Sequence, residues 1–303
     1  MLSVLAAFFQ NLRSALQKHL KGKLTDTAAA FTRFLFALPF AWLYLLCLKV
    51  FASKPLPSFN LRFLLYCLSG SIAQILFTVV LLRMFSYKSF VVGTTLSKLE
   101  VVVVAVLGVI ILQDKMSALA LTAILICTVG VVTLNIVKNR PGAGKTREGI
   151  ESLIRNTLST QTWIGLLCAF FLGASVVLFR GASLSLIHDD VLMSAAVTLA
   201  VTLSLQTLMM GCWIAWHESD QCTGLAREWR GSLMVGIAGV LASICWFTAF
   251  TLQNASFVRS VGMIELVFAY LLSTSVFKEK VRPLELTGIL LIMAGIVLLL
   301  TAA

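Results

Sequence analysis

The 303-residue chain is 59% hydrophobic and only 12% charged, with a mean hydropathy of +0.97. Soluble domains carry roughly 25% charged residues, so no water-facing surface could be built from this composition and the bilayer must be the main solvent. The net charge of +11 would suggest nucleic acid in a soluble protein. Here the basic residues sit in short loops between apolar runs, where topology and anionic lipid headgroups account for them, and nucleic acid is excluded as a partner.

Ten apolar segments follow one another, at about 2–17, 27–48, 62–82, 90–112, 117–137, 162–179, 191–216, 232–252, 257–277 and 284–302. Most approach the roughly 20 residues that a helix needs to cross the hydrocarbon. The first is followed by Arg13, Lys18, Lys21 and Lys23 rather than by a small-residue cleavage site, so it reads as a helix and not as a cleavable signal peptide. It is interrupted by Gln10, Asn11 and Arg13. The sixth carries Gly173-Ala174-Ser175 at the matching place, and the two begin alike, Ala7-Phe8-Phe9 against Ala169-Phe170-Phe171. Interrupted segments at corresponding positions point to a transport site.

Between the fifth and sixth segments lies the one sizeable hydrophilic stretch, 138–161. It contains Gly142-Ala143-Gly144-Lys145-Thr146, but the phosphate-binding pattern needs a glycine where Asn139 stands, and no strand precedes it. The stretch is a linker, and nothing else in the chain suggests that ATP is used directly. The expected organisation is all-α: a first five-helix repeat over 1–137, the linker, and a second five-helix repeat over 162–303. An odd number of helices per repeat inverts the second half relative to the first.

Internal self-similarity supports two related halves. Residues 100–134 laid over 265–299 agree at twelve positions, among them Glu100/Glu265, Lys115/Lys280 and Gly130/Gly295, with Asp114/Glu279 conservative. Loops after the odd-numbered segments hold 15 Lys and Arg and those after the even-numbered ones five. That bias places the linker in the cytoplasm and both termini outside.

Of thirteen carboxylates, only Glu100 and Glu265 fall near the middle of a span. A charge there costs about 2.5–3.5 kcal/mol on insertion scales. Protonation lowers that cost, which would make the pair a proton or cation carrier, and a cationic partner offsets it, which would make each a structural clamp. Arg13 and Arg33 are the candidate partners. Arg33 is equally a candidate for direct contact with an anionic substrate. Gln10 and Gln74 are the polar groups expected to line a cavity. Lys98 and Arg259 read as residues whose long stems reach an interface, and Phe8, Phe9, Phe170, Phe171 and Trp246 as packing or lipid-facing aromatics. His19, His188 and His217 lie in or beside loops and no metal-spaced cysteines occur, so an intramembrane enzyme is the weakest reading and no metal or cofactor is expected.

These residues resemble the drug/metabolite transporter superfamily, EamA type, over essentially the whole chain. Lys18 closes the first helix, Arg33 sits in the second, and the acidic turns Gln113-Asp114 and Lys278-Glu279 end the fourth and ninth, where that family has Gly-Glu. Gly288 and Gly295 keep its seven-residue spacing. The proline common midway along helices 4 and 9 is absent, and Gln10-Asn11 replaces a Trp-Gly. The resemblance implies a carrier of the bacterial inner membrane, often an exporter of amino acids, other metabolites or drug-like compounds, with a central site and helices 5 and 10 at the periphery. It also implies termini in the cytoplasm, opposite to the Lys/Arg bias. The expected partners are a small-molecule substrate, membrane lipid and protons, in a monomer or homodimer. The substrate site is expected at Glu100, Glu265, Arg33, Gln74 and Gln10. A lipid-linked-sugar translocator of the same fold class is the alternative.

Overall fold

The computed structural model describes residues 1–20, 24–51, 55–84, 98–138, 160–186, 188, 190–264, 266 and 283–301. Glu265, the second acidic turn and most of the linker lie outside the described residues. Those described form twelve helices and no strand: α1 (Leu2–Leu20), α2 (Asp26–Leu35), α3 (Leu38–Phe51), α4 (Leu61–Met84), α5 (Glu100–Leu112), α6 (Ala118–Lys138), α7 (Thr160–Ser185), α8 (Val191–His217), α9 (Asp220–Arg227), α10 (Trp229–Leu252), α11 (Ala255–Gly262) and α12 (Pro283–Thr301). Five apolar stretches among them are long enough to cross a membrane: Asp26–Phe51, Leu61–Leu81, Trp163–Ser185, Val191–His217 and Trp229–Leu252. Glu100–Leu112, Ala118–Thr133 and Leu286–Leu299 are shorter apolar helices.

The segment over 27–48 is two helices, not one. Pro39 has no N–H to offer the carbonyl of Leu35, and the chain turns at Phe36-Ala37 before α3 begins. The residues that interrupt the first and sixth apolar runs do not break the helices: α1 and α7 run on through Gln10-Asn11 and Gly173-Ala174. Their polar and small residues serve packing and the cavity while the backbone ladder stays whole. α10 presses on the break in the second segment. A Cβ on Gly236 would lie 2.5 Å from the backbone carbon of Phe36, so only glycine permits that approach.

Three packed pairs organise the molecule, α6 with α12, α4 with α7 and α1 with α10, and each joins a helix from one half of the chain to a helix from the other. At the α6–α12 contact, a Cβ on Gly130 would stand 2.8 Å from both the carbonyl oxygen of Gly288 and the amide nitrogen of Ile292. The Cys127 thiol donates to the Ile292 carbonyl across it at 3.6 Å. The outer faces of the same helices expose Leu121, Leu125 and Val129, and Leu290, Met293 and Val297. That is the arrangement of helices solvated by lipid, where close backbone packing replaces a hydrophobic driving force.

α9 is different in kind, a short polar helix in which only Leu225 is buried. Thr25, which caps α2, accepts the Ala28 amide at 3.2 Å and donates to Glu218 at 2.5 Å, while its own amide donates to Gln221 at 3.2 Å. The loop before α2 is thereby tied to the α8–α9 corner, on one end of the bundle.

Candidate functional site

A cavity opens between helices of the two halves. Its wall comes from α1, α2 and α4 of the first half and α7, α8, α10 and α11 of the second. Gln10, Arg33 and Gln74 all face it. Three of the five residues expected at the site are therefore brought together, from three different helices. Glu100 lies beside it, in a smaller pocket that shares Gln10, Trp246 and Arg259 with the first. Glu265 falls outside the described residues.

Arg33 is presented from the last turn of α2, just before the chain breaks. Its Nη1 donates to the Thr78 hydroxyl at 3.1 Å. With the Gln74 amide oriented to satisfy both neighbours, its oxygen accepts from Arg33 Nη2 at 2.5 Å and its nitrogen donates to Ser175 Oγ at 2.7 Å. The two hydroxyls pass their protons on, Thr78 to the Gln74 carbonyl and Ser175 to the Leu172 carbonyl, each at 2.8 Å. Every one of these partners is neutral. Thr78 lies four residues after Gln74, one helical turn along the same face, so the pair forms a single cradle for the guanidinium.

Glu100 is buried at 4% exposure and is ion-paired with Arg259, itself 6% exposed. The expected partners were Arg13 and Arg33; Arg259 takes the role because α11 packs directly on α5. It turns inward where an outward stem was expected. Its guanidinium carbon also lies 4.7 Å from the centre of the Trp246 ring, within cation–π range. Trp246 Nε1 in turn donates to Gln10 Oε1 at 3.0 Å. A Cβ on Gly262 would meet the Trp246 ring at 2.7 Å, so the glycine makes room for that ring. A continuous run of contacts thus joins α5, α11, α10 and α1.

The aromatic residues nearby form a wall. Phe179 stacks on Phe247 with centroids 5.1 Å apart, and Trp246 on Phe250 at 5.4 Å. All four line the cavity. The Trp246 ring packs on Phe250, and its N–H also reaches Gln10 in the site.

At one end of α7, Arg180 gathers three helices. Its Nη1 grips both carboxylate oxygens of Asp114 at 2.5 and 2.6 Å, Nη2 donates to Asn254 Oδ1 at 2.9 Å, and Nε donates to the Phe250 carbonyl at 3.0 Å. Asp114 is aimed there by the end of α5, where Gln113 takes the left-handed conformation (φ 55°, ψ 34°) and the Asp114 amide returns to the Gly108 carbonyl at 3.2 Å. A Cβ on Gly108 would come 3.0 Å from the Asp114 carboxylate. The sixth apolar segment ends at about 179 in the sequence, whereas α7 runs on through Arg180 to Ser185.

Several of these residues were not singled out as site residues by sequence. Thr78 was findable from its spacing to Gln74. Ser175 sits at the place matching Arg13 in the two related openings, and that register was a usable signal.

A profile described as the EamA-like transporter family matches residues 1–136 and 158–301. No curated protein matches. Among solved structures 28 chains match. One, described only as the crystal structure of a protein, is 14% identical, covers 99% of this chain and 97% of its own, and superposes with a TM-score of 0.61; at that identity the likeness is one of fold alone.

Proposed function

Because the chain belongs to the EamA-like transporter family and is a multi-pass membrane protein, we propose that it is a secondary-active carrier that exports a small metabolite across a bacterial inner membrane by alternating access. The observation that carries this reading is the cavity whose wall is shared between helices of both halves. Two halves that each contribute to one central site can expose it to either side by rocking against each other. The pairing of α1 with α10 and of α4 with α7 exchanges when the halves are swapped, which supports ten spans in two inverted repeats.

In this reading Gln10, Arg33 and Gln74 contact substrate and Glu100 is the coupling group, with Glu265 as its counterpart in the second half. Protonation of Glu100 would cancel its attraction for Arg259 and loosen α5 from α11. A proton arriving from one side would then favour one packing of the halves and its loss the other. The transported species remains the small molecule in the cavity.

The test is reconstitution into liposomes, with flux of labelled candidate metabolites followed under an imposed pH gradient. Flux that follows the gradient in the wild type and ignores it in Glu100→Gln supports the reading. Gradient-driven flux unchanged in Glu100→Gln removes the coupling role, and the absence of flux for every compound that binds removes the carrier.

A further inference from the structure

We infer that the transported molecule is a small organic anion with an apolar body, its carboxylate or phosphate group held by Arg33 and its body lying against the aromatic wall. This deepens the carrier reading above and rests on it. Arg33 lines the cavity, and among the described residues its partners are the Thr78 hydroxyl, the Gln74 amide and the face of Phe34, with its guanidinium carbon 5.2 Å from the centre of that ring. None of them carries charge.

A guanidinium taken out of water without a counter-charge is costly, and neutral acceptors return only part of that cost. Among the described residues, the buried carboxylate beside the cavity is Glu100, and it is already committed to Arg259. Arg13 also faces the cavity and repels Arg33. An anion beside Arg33 supplies the counter-charge that its described partners do not, and a cation there would meet like charge. The planar fork of Arg33, fixed on one edge by Thr78 and Gln74, suits two parallel bonds to an oxyanion. Four stacked aromatic rings, Phe179 with Phe247 and Trp246 with Phe250, offer an apolar body more surface than inorganic phosphate could use.

The test uses the full-length protein in detergent micelles and three probes: phenylacetate, phenethylammonium and inorganic phosphate. They share, respectively, the charge and the body, the body alone with the opposite charge, and the charge alone. Titration calorimetry should show phenylacetate binding most tightly, phosphate more weakly and phenethylammonium not at all. Arg33→Gln should weaken phenylacetate by about tenfold or more, the worth of a charge-assisted contact. Arg33→Lys, which keeps the charge and loses the fork, should fall between. The wild-type comparison of the two phenyl probes decides the matter even if both variants misfold. Phenethylammonium binding as tightly as phenylacetate, phenylacetate failing to bind, or an Arg33→Gln protein binding it unchanged would each overturn the inference. Counterflow in liposomes separates this from the carrier reading. Movement of phenethylammonium but not phenylacetate overturns the anion and leaves the carrier; phenylacetate binding with no counterflow of any compound that binds overturns the carrier and leaves the anion site.

Discussion

Arg180 holds both carboxylate oxygens of Asp114 with a single nitrogen, Nη1, and spends its other two nitrogens on Asn254 and the Phe250 carbonyl. One side chain of α7 therefore fastens the end of α5 to the α10–α11 corner. Both partners are mostly buried, at 9% and 12% side-chain exposure.

Removing one partner leaves the other charge stranded, at a cost of about 3–5 kcal/mol for a buried pair. Asp114→Ala and Arg180→Ala should each lower the unfolding temperature in detergent markedly. The double variant should be more stable than the sum of the two losses predicts. Additive losses would mean that the two residues do not act as a unit.

Trp246 separates two contributions. Trp246→Phe keeps a ring for Arg259 and loses the N–H donated to Gln10, so it should cost about 1 kcal/mol. Trp246→Leu also loses the cation–π contact, at about 0.5–2 kcal/mol more. The two variants unfolding at the same temperature would show that the ring does nothing for Arg259 beyond filling space.

Gln113 occupies a left-handed position (φ 55°) that costs an L-residue roughly 1–2 kcal/mol. Gln113→Gly should therefore raise thermal stability by about 0.5–1 kcal/mol after the added freedom of the unfolded chain is subtracted. Thermal unfolding in detergent measures it; a fall in stability would mean that the glutamine side chain contributes more than its backbone costs.

Gly130 and Gly295 let α6 and α12 touch, far from the cavity lining. Gly130→Val should separate those helices and lower the unfolding temperature, while ligand affinity measured at a temperature where the variant is folded stays at the wild-type value. A parallel loss of affinity would show that the α6–α12 pair is coupled to the site.

Much of the site was legible because a polar residue inside an apolar run is conspicuous: Arg33, Gln74 and Gln10 stood out that way, and the cavity joins them. The Glu100–Arg259 pair was not legible. Both residues were visible, but nothing in either segment says that α11 lies on α5, and an arginine near a helix end is ordinarily drawn outward. The break before α3 had its signal in Pro39 and was masked by unbroken hydrophobicity on either side. Gly236 had none, because its meaning depends on Phe36, which folding alone brings near. The sixth apolar run stops at Arg180 because a charge usually ends a span; here Asp114 pairs with it and α7 continues to Ser185.

α9 carries a use of its own. It presents Cys222 at the protein surface, while Cys67, Cys127 and Cys168 are buried and the other exposed thiol, Cys212, sits within the apolar α8. Through Glu218 and Gln221 this corner is tied to Thr25, the residue that caps α2. A membrane-impermeant maleimide applied to intact cells therefore reads the sidedness of the molecule from one native thiol, with Cys222→Ser as the blank. Labelling only after the cells are opened would place the basic loops inside, as their charge demands; labelling from outside would turn the molecule over.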